Sequence, residues 1–221
     1  MACPRQPDGR VPSLRHIRSI LLAHGAGSGP WVFDGWAEAF PEVEVEAVDL
    51  QAGLNVAEAA MSNYAAVITR AAEWLARPLA LCGWSSGGLA AMMAARPAEA
   101  DYLVLLETSP PGEVQGFDDS VPLRPGTFDP EETYGPFPPG MRARPESSFA
   151  RAERKRGVSV PALPCPALAV SGDGFAEERG RRIAAYYGAE ELHFPGLDHW
   201  GLVLDPQVRD RVAAYLSRST G

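Results

Sequence analysis

Short apolar runs with the look of β-strands recur along the chain, and longer stretches between them repeat their apolar positions every three and four residues. Such alternation is the sequence sign of a parallel sheet whose strands are joined by crossover helices. Strands are expected at Ser19 to Ala23, Val43 to Val48, Leu79 to Cys82, Tyr102 to Leu106, Ala167 to Ser171 and Glu191 to Phe194. Helices are expected at Val56 to Ala76, Ser86 to Ala95, Glu177 to Tyr187 and Gln207 to Ser217. Right-handed crossovers would wind these helices onto both sheet faces. The fold class expected is α/β, a three-layer sandwich around a mostly parallel sheet of about six to seven strands. A chain of 221 residues buries roughly 70% of its unfolded surface, so residues 1–221 are expected to form a single domain with a full core.

The rhythm breaks between Ser109 and Pro166, where twelve of the 21 prolines fall. Proline removes a backbone donor and fixes φ, so little regular structure is expected there apart from a helix near Ser147 to Arg156. The stretch is nevertheless too apolar for simple disorder, with Phe117, Phe128, Tyr134, Phe137, Met141 and Phe149 spread through it. It reads as a Pro/Gly-rich cap insertion, about residues 110–166, over the carboxyl edge of the sheet.

The net charge of −8, from 28 acidic and 20 basic residues, speaks against a nucleic-acid backbone or an anionic membrane as partner. A small molecule is the expected partner. The N-terminal MACPRQPDGRVPSLRHIRS carries charges and prolines where a signal peptide has its apolar stretch, and a cytoplasmic protein is expected. Cys3, Cys82 and Cys165 are odd in number, far apart and outside any CxxC pattern, so neither a disulfide framework nor a zinc site is expected.

The run LALCGWSSGG ends in two serines hemmed by glycines, and only Ser85 has glycine at both minus two and plus two, as Gly83 and Gly87. Between a strand and a helix, G-x-S-x-G is a strained turn that lifts the serine hydroxyl above the sheet. The helix starting at Ser86 aims its free N–H groups at that hydroxyl. Serine is a poor nucleophile until a base takes its proton, and in such a fold the base is a histidine after the last strand. Of four histidines, His199 in PGLDHWGLV fits this position. His16 lies in the polar N-terminal segment, and His193 sits inside the expected strand ELHF. His24 ends the first strand, in LLAHGAGSG, and the turn there would present a backbone N–H to the serine. The N–H groups of Ala26 and Ser86 are therefore the expected oxyanion hole.

Together, LLAHGAGSG, LALCGWSSGG, PALAVSGDG and LDHWGLV resemble the oxyanion loop, nucleophile elbow, acid-bearing strand and histidine loop of the α/β-hydrolase superfamily. HGAGSGPWVFDGW followed by VEAVDL is similar to small carboxylesterase and hydroxynitrile-lyase-like members. The resemblance implies a Ser-His-acid triad and leaves two carboxylates open for the acid. Asp173 directly follows Gly172, where the family's acid commonly lies two residues further on and this chain has Phe175. Glu107 ends the strand in LVLLETSPP, where other members carry theirs. The family's first two strands have room here for at most one, around Val11 to Ile17.

The activity implied is hydrolysis of a small, largely apolar ester or thioester through an acyl-enzyme, without a metal or organic cofactor. Trp31, Trp84, Trp200 and Met92 are the expected pocket walls. A lyase or C–C bond hydrolase on the same scaffold, or a ligand-binding protein that has lost turnover, are the alternatives.

Overall fold

A computed structural model describes residues 17–218. In chain order its strands are β1 (Ser19–Ala23), β2 (Glu44–Val48), β3 (Leu79–Trp84), β4 (Tyr102–Leu106), β5 (Thr127–Phe128), β6 (Glu146–Ser147), β7 (Ala167–Ser171) and β8 (Glu190–His193). Six of them form one parallel sheet in the order β2-β1-β3-β4-β7-β8, while β5 and β6 make a small antiparallel pair. The inner strands read as continuous apolar runs because both faces are covered, and β1, β3 and β7 are buried at every position.

Alternate residues of these strands feed two cores. Leu21, Leu79, Leu81, Leu103, Leu105 and Ala169 point to one face; Ile20, Leu22, Cys82, Val104, Leu106 and Val170 point to the other. This is the two-residue period of a pleated strand. The first face is covered by α1 (Met61–Ala72), which turns Met61, Tyr64, Ala65, Ile68 and Ala72 inward at helical spacing, and by α2 (Ser86–Ala94). Nearly every residue of α2 is buried, which explains a sequence of glycine, alanine, leucine and methionine with no charged face.

The second face is covered by the 3-10 turns Pro30–Phe33 and Trp36–Ala39 and by the last helix. Of the shorter helices, α3 (Gly112–Gln115), α4 (Pro130–Tyr134) and α5 (Ser148–Arg156) lie in the segment between β4 and β7. They are followed by α6 (Arg182–Tyr187), α7 (Gly201–Leu204) and α8 (Pro206–Leu216). At the start of α8 Asp205 accepts a hydrogen bond from the N–H of Gln207 and Pro206 occupies the first turn, so the helix begins one residue before its expected start.

Three expectations are revised. The helix expected from Val56 begins as a 3-10 turn, Val56–Glu58, and becomes α-helical only at Met61. The one expected from Glu177 opens with a wide π turn, Ala176–Arg181, before α6. The proline-rich segment holds more regular structure than the single helix expected there. Asp129 caps α4 by accepting from the N–H of Glu131, with Pro130 in the first turn, so a proline that looks like a breaker is here a start signal. α5 itself follows the expectation, with Ser147 as its N-cap. The strand expected around Val11 to Ile17 lies, except for Ile17, outside the described residues.

Trp36 ties the second face together. It is 1% exposed, its Nε1 donates to the carbonyl of Val203 at 2.9 Å, and its ring meets Phe33 edge to face at 5.4 Å. Trp36→Ala is expected to cost about 4 kcal/mol of unfolding free energy through lost burial and the cavity left behind, read as a drop in the urea midpoint with little change in slope.

Candidate active site

β3 runs into α2 through Ser85, whose φ of 56° and ψ of −122° lie outside the regions open to most L-residues. The turn is held from outside. The N–H of Ser85 donates to the carbonyl of Leu106 at 3.0 Å, and its own carbonyl accepts from Ser109 at 2.9 Å and Gly88 at 3.2 Å. Glycines make the close approach possible. A Cβ on Gly83 would lie 2.5 Å from the carbonyl oxygen of Gly87, and one on Gly87 would lie 2.2 Å from that of His24.

The loop after β1 lies against this turn, and a Cβ on Gly25 would lie 3.1 Å from that of Ser85. His24 pins the loop from within the protein. Its Nε2 accepts from the N–H of Leu50 at 3.0 Å, and Nδ1 lies 2.9 Å from the carbonyl of Gly25, which fits a neutral ring with its proton on Nδ1. The segment before α5 braces the same loop from above. Arg144 donates through Nε and a terminal nitrogen to the carbonyl of Ser28 and forms a two-pronged ion pair with Asp49. Its backbone N–H reaches the carbonyl of Gly27 at 2.7 Å. Glu146, almost fully buried, accepts from the N–H of Gly27 at 2.8 Å and from the hydroxyl of Tyr64. Among the described residues the N–H groups of Ala26 and Ser86 have no hydrogen-bond acceptor.

At the end of β4, Glu107 is wholly buried with φ of 40°. Its Oε1 accepts from the N–H of Gly172 at 2.8 Å, and its Oε2 lies 2.6 Å from Nδ1 of His199, whose side chain is one-quarter exposed. Asp173, the other carboxylate weighed for this position, is elsewhere. It faces Nε2 of His193 at 3.2 Å and accepts from the N–H of Gly196 at 2.8 Å. The loop turns so tightly after Gly172 that Asp173 donates its own N–H to the carbonyl of Leu197. This sends its side chain toward β8 instead of toward His199.

Ser85, Ala26 and His199 line one cavity of about 380 Å³. Of the four expected walls, Trp84 and Trp200 line this cavity with their rings tilted against one another at 4.7 Å, and Trp84 also meets the ring of His199 at 4.8 Å. Trp84 Nε1 donates to the carbonyl of His199 at 3.0 Å, fixing the histidine loop to the elbow. The other two expected walls are absent from the lining. Met92 is buried in the core beneath α2, and the ring of Trp31 lies under the guanidinium of Arg144 at 4.9 Å. Walls that the sequence reading missed come from the cap and from the π turn: Phe137 against Trp200 at 4.7 Å and Phe175 against His199 at 5.8 Å. Their aromatic character was a signal, but nothing local to either says that it faces the cavity.

Cys82 and Cys165 are both free thiols, and burial pushes both up, Cys165 to about 12. Neither is a competing nucleophile. Among the described residues no group of three or more His, Cys, Asp or Glu side chains could hold a metal ion, and no helix is long and apolar enough to cross a membrane.

A family model described as the alpha/beta hydrolase family matches residues 20–220. The chain belongs to that family. No curated protein matches this α/β hydrolase in sequence. Among solved structures it is similar to one from a study of two metagenome-derived lipolytic enzymes (19% identity, 93% of this chain and 98% of that one, TM-score 0.62). It is also similar to the RedJ thioesterase of the prodiginine pathway in Streptomyces coelicolor (22%, 99% and 97%, 0.61). A third is from a study of carboxylesterases of the ammonia-oxidizing thaumarchaeon Nitrososphaera gargenis (17%, 91% and 90%, 0.66).

The packing at the elbow is testable through its glycines. Gly87→Ala is expected to destabilise this α/β hydrolase by about 3 kcal/mol or more, because backbone on both sides must move. Gly174→Ala, with nothing within 4 Å of its Cβ position, should stay within about 0.5 kcal/mol of the parent. Paired denaturant melts distinguish them.

Proposed function

We propose that this α/β hydrolase is a serine hydrolase that cleaves a small ester or thioester through an acyl-enzyme, with Ser85 as nucleophile, His199 as base and Glu107 as the acid. The observation that carries the reading is the 2.6 Å contact between the buried carboxylate of Glu107 and Nδ1 of His199 on the wall of the cavity that holds Ser85. The esterases and thioesterases among similar folds support the same class of chemistry.

The chemistry follows from protonation. A carboxylate accepts from Nδ1–H, so Nε2 of His199 carries a lone pair and can take a proton. Ser85 Oγ attacks the carbonyl carbon as its proton passes to Nε2. The oxygen that becomes negative is met by the N–H groups of Ala26 and Ser86, at the positive end of α2. The imidazolium is stabilised by Glu107, whose own charge is held by the N–H of Gly172. Collapse of the tetrahedral species expels the alcohol or thiol, which leaves with the proton from Nε2. Water then repeats the sequence on the acyl-enzyme: it gives its proton to Nε2 as it attacks, and the departing Ser85 oxygen recovers that proton.

The acid is the part of this reading with an alternative inside the chain, so the test compares the two. With a p-nitrophenyl ester reporter, Ser85→Ala should lower turnover on the order of 10³-fold or more, and Glu107→Gln about 10²- to 10⁴-fold, because an amide no longer selects the tautomer or balances the imidazolium. Asp173→Asn should keep the parental kcat. Circular dichroism establishes that each variant is folded. A fluorophosphonate adduct mapped to the peptide holding Ser85 is expected, and activity surviving in Ser85→Ala would end the proposal.

A further inference from the structure

From the cation-lined wall of the cavity we propose, resting on the hydrolase reading above, that the substrate carries a carboxylate or phosphate, which Arg151, Arg154, Lys155 and Arg179 receive. These four side chains line the cavity that holds Ser85 and His199, and no aspartate or glutamate lines it with them. The chain as a whole has eight more acidic than basic residues. A one-signed lining is therefore a local arrangement and not an overflow of general basicity.

The four cations are also uncommitted. None of the four lining cations makes an ion pair with a carboxylate among the described residues, so no charge partner has to be displaced before they meet a ligand. Aromatic rings and neutral groups hold the three arginines instead. Arg151 lies over the rings of Phe128 at 5.2 Å and Tyr134 at 5.9 Å, and its buried Nε has no hydrogen-bond partner. Arg154 donates to the hydroxyl of Tyr134 at 3.3 Å. Arg179 lies 3.9 Å from the ring centre of Phe175, and among the described residues its guanidinium makes one polar contact, a long one of 3.4 Å to the backbone carbonyl of Glu107. The carboxylates of Glu107 and Glu178 attract Arg179 without pairing with it, and that of Glu107 is taken by His199 and Gly172. Burial works against the charge on Arg179, and the nearby Arg154 adds to that cost. A partly buried guanidinium with no acid of its own gains most from an anion that arrives with the ligand, because the anion restores charge balance in a site shielded from water.

The positions come from two elements. Arg151, Arg154 and Lys155 lie on α5, and Arg179 lies in the π turn before α6. The anion could sit on the acyl half of the substrate or on its leaving group, and paired substrates tell these apart. Mono-p-nitrophenyl glutarate against p-nitrophenyl valerate tests the acyl half. Butyryl-coenzyme A against S-butyryl-N-acetylcysteamine tests the leaving group.

The expected result is a kcat/KM for the charged member of at least one pair that is roughly ten- to a hundredfold above its neutral partner, the worth of one charge-assisted hydrogen bond. That preference should shrink in Arg151→Gln and in Arg179→Gln. It should also shrink in the parent protein as sodium chloride is raised, which keeps the test valid if a variant fails to fold. Turnover of neutral esters that depends on Ser85, with no preference in either pair, overturns the anionic subsite and leaves the hydrolase reading standing. If Ser85 neither turns over esters nor takes a fluorophosphonate, the hydrolase reading fails instead. The subsite is then decided by titrating glutarate and coenzyme A into the Ser85→Ala protein and following tryptophan fluorescence, since Trp84 and Trp200 share the cavity. A saturable change that Arg151→Gln abolishes upholds it, and no change with either probe overturns it.

Discussion

The close approach of the first turn of α2 to the ends of β1 and β3 is the constraint on which the rest of the site depends. Backbone meets backbone there, with Gly87 against the carbonyl of His24 and Gly83 against the carbonyl of Gly87. No side chain fits between. The chain must therefore leave β3 through a conformation that most residues avoid, and Ser85 takes it at φ 56°. Strain of this kind persists only where the surroundings over-determine it. Here those surroundings are Leu106 and Ser109 bonded to the serine backbone, a helix buried almost on every side, and the ring of Trp84 held to the carbonyl of His199. One tight crossing fixes the serine, aims the N–H groups of the helix and sets where the histidine loop can land.

A second constraint follows at the next strand. Glu107 repeats the device on β4, a positive φ at the strand's end that turns a buried carboxylate across the sheet edge toward the loop after β8. The loop after β7 supports it instead of competing with it. Gly172 gives its N–H to Glu107, and a Cβ at Gly172 would lie 2.3 Å from the carbonyl of Leu197, so the two loops pass within backbone distance. With no room for a longer excursion, the next residue, Asp173, is turned toward His193 and Gly196. A short loop and a carboxylate one strand earlier are thus two sides of one geometric solution.

These relations explain what could and could not be read beforehand. The parallel sheet was legible because its strands are short apolar runs separated by helical periodicity, whereas the order β2-β1-β3-β4-β7-β8 was not, since right-handed crossovers leave open on which side each new strand is added. Ser85 stood out because its glycines answer a local steric need that leaves a local sequence mark. The partner of His199 did not stand out. Whether Glu107 or Asp173 meets it depends on loop paths separated by tens of residues, and neither residue's neighbours record that choice. Trp31 and Met92 were misplaced for a related reason: an apolar side chain looks the same whether it faces a cavity or a core. The cap's prolines misled in the opposite direction, since Pro130 starts a helix that its composition seemed to forbid.

The cap is more than a cover, because its attachment points and its cavity wall belong to one short stretch of chain. Arg144 and Glu146 brace the loop that carries Ala26, and five residues after Glu146 α5 begins to supply the wall with Arg151, Arg154 and Lys155. Ser147 and Glu146 are fully or almost fully buried, so the junction has little freedom to hinge. A segment anchored in this way cannot shift without pulling on the loop that carries Ala26. On the proposed reading, recognition by α5 and charge stabilisation at Ala26 are therefore mechanically linked, and substitutions at Arg144 or Glu146 act on both.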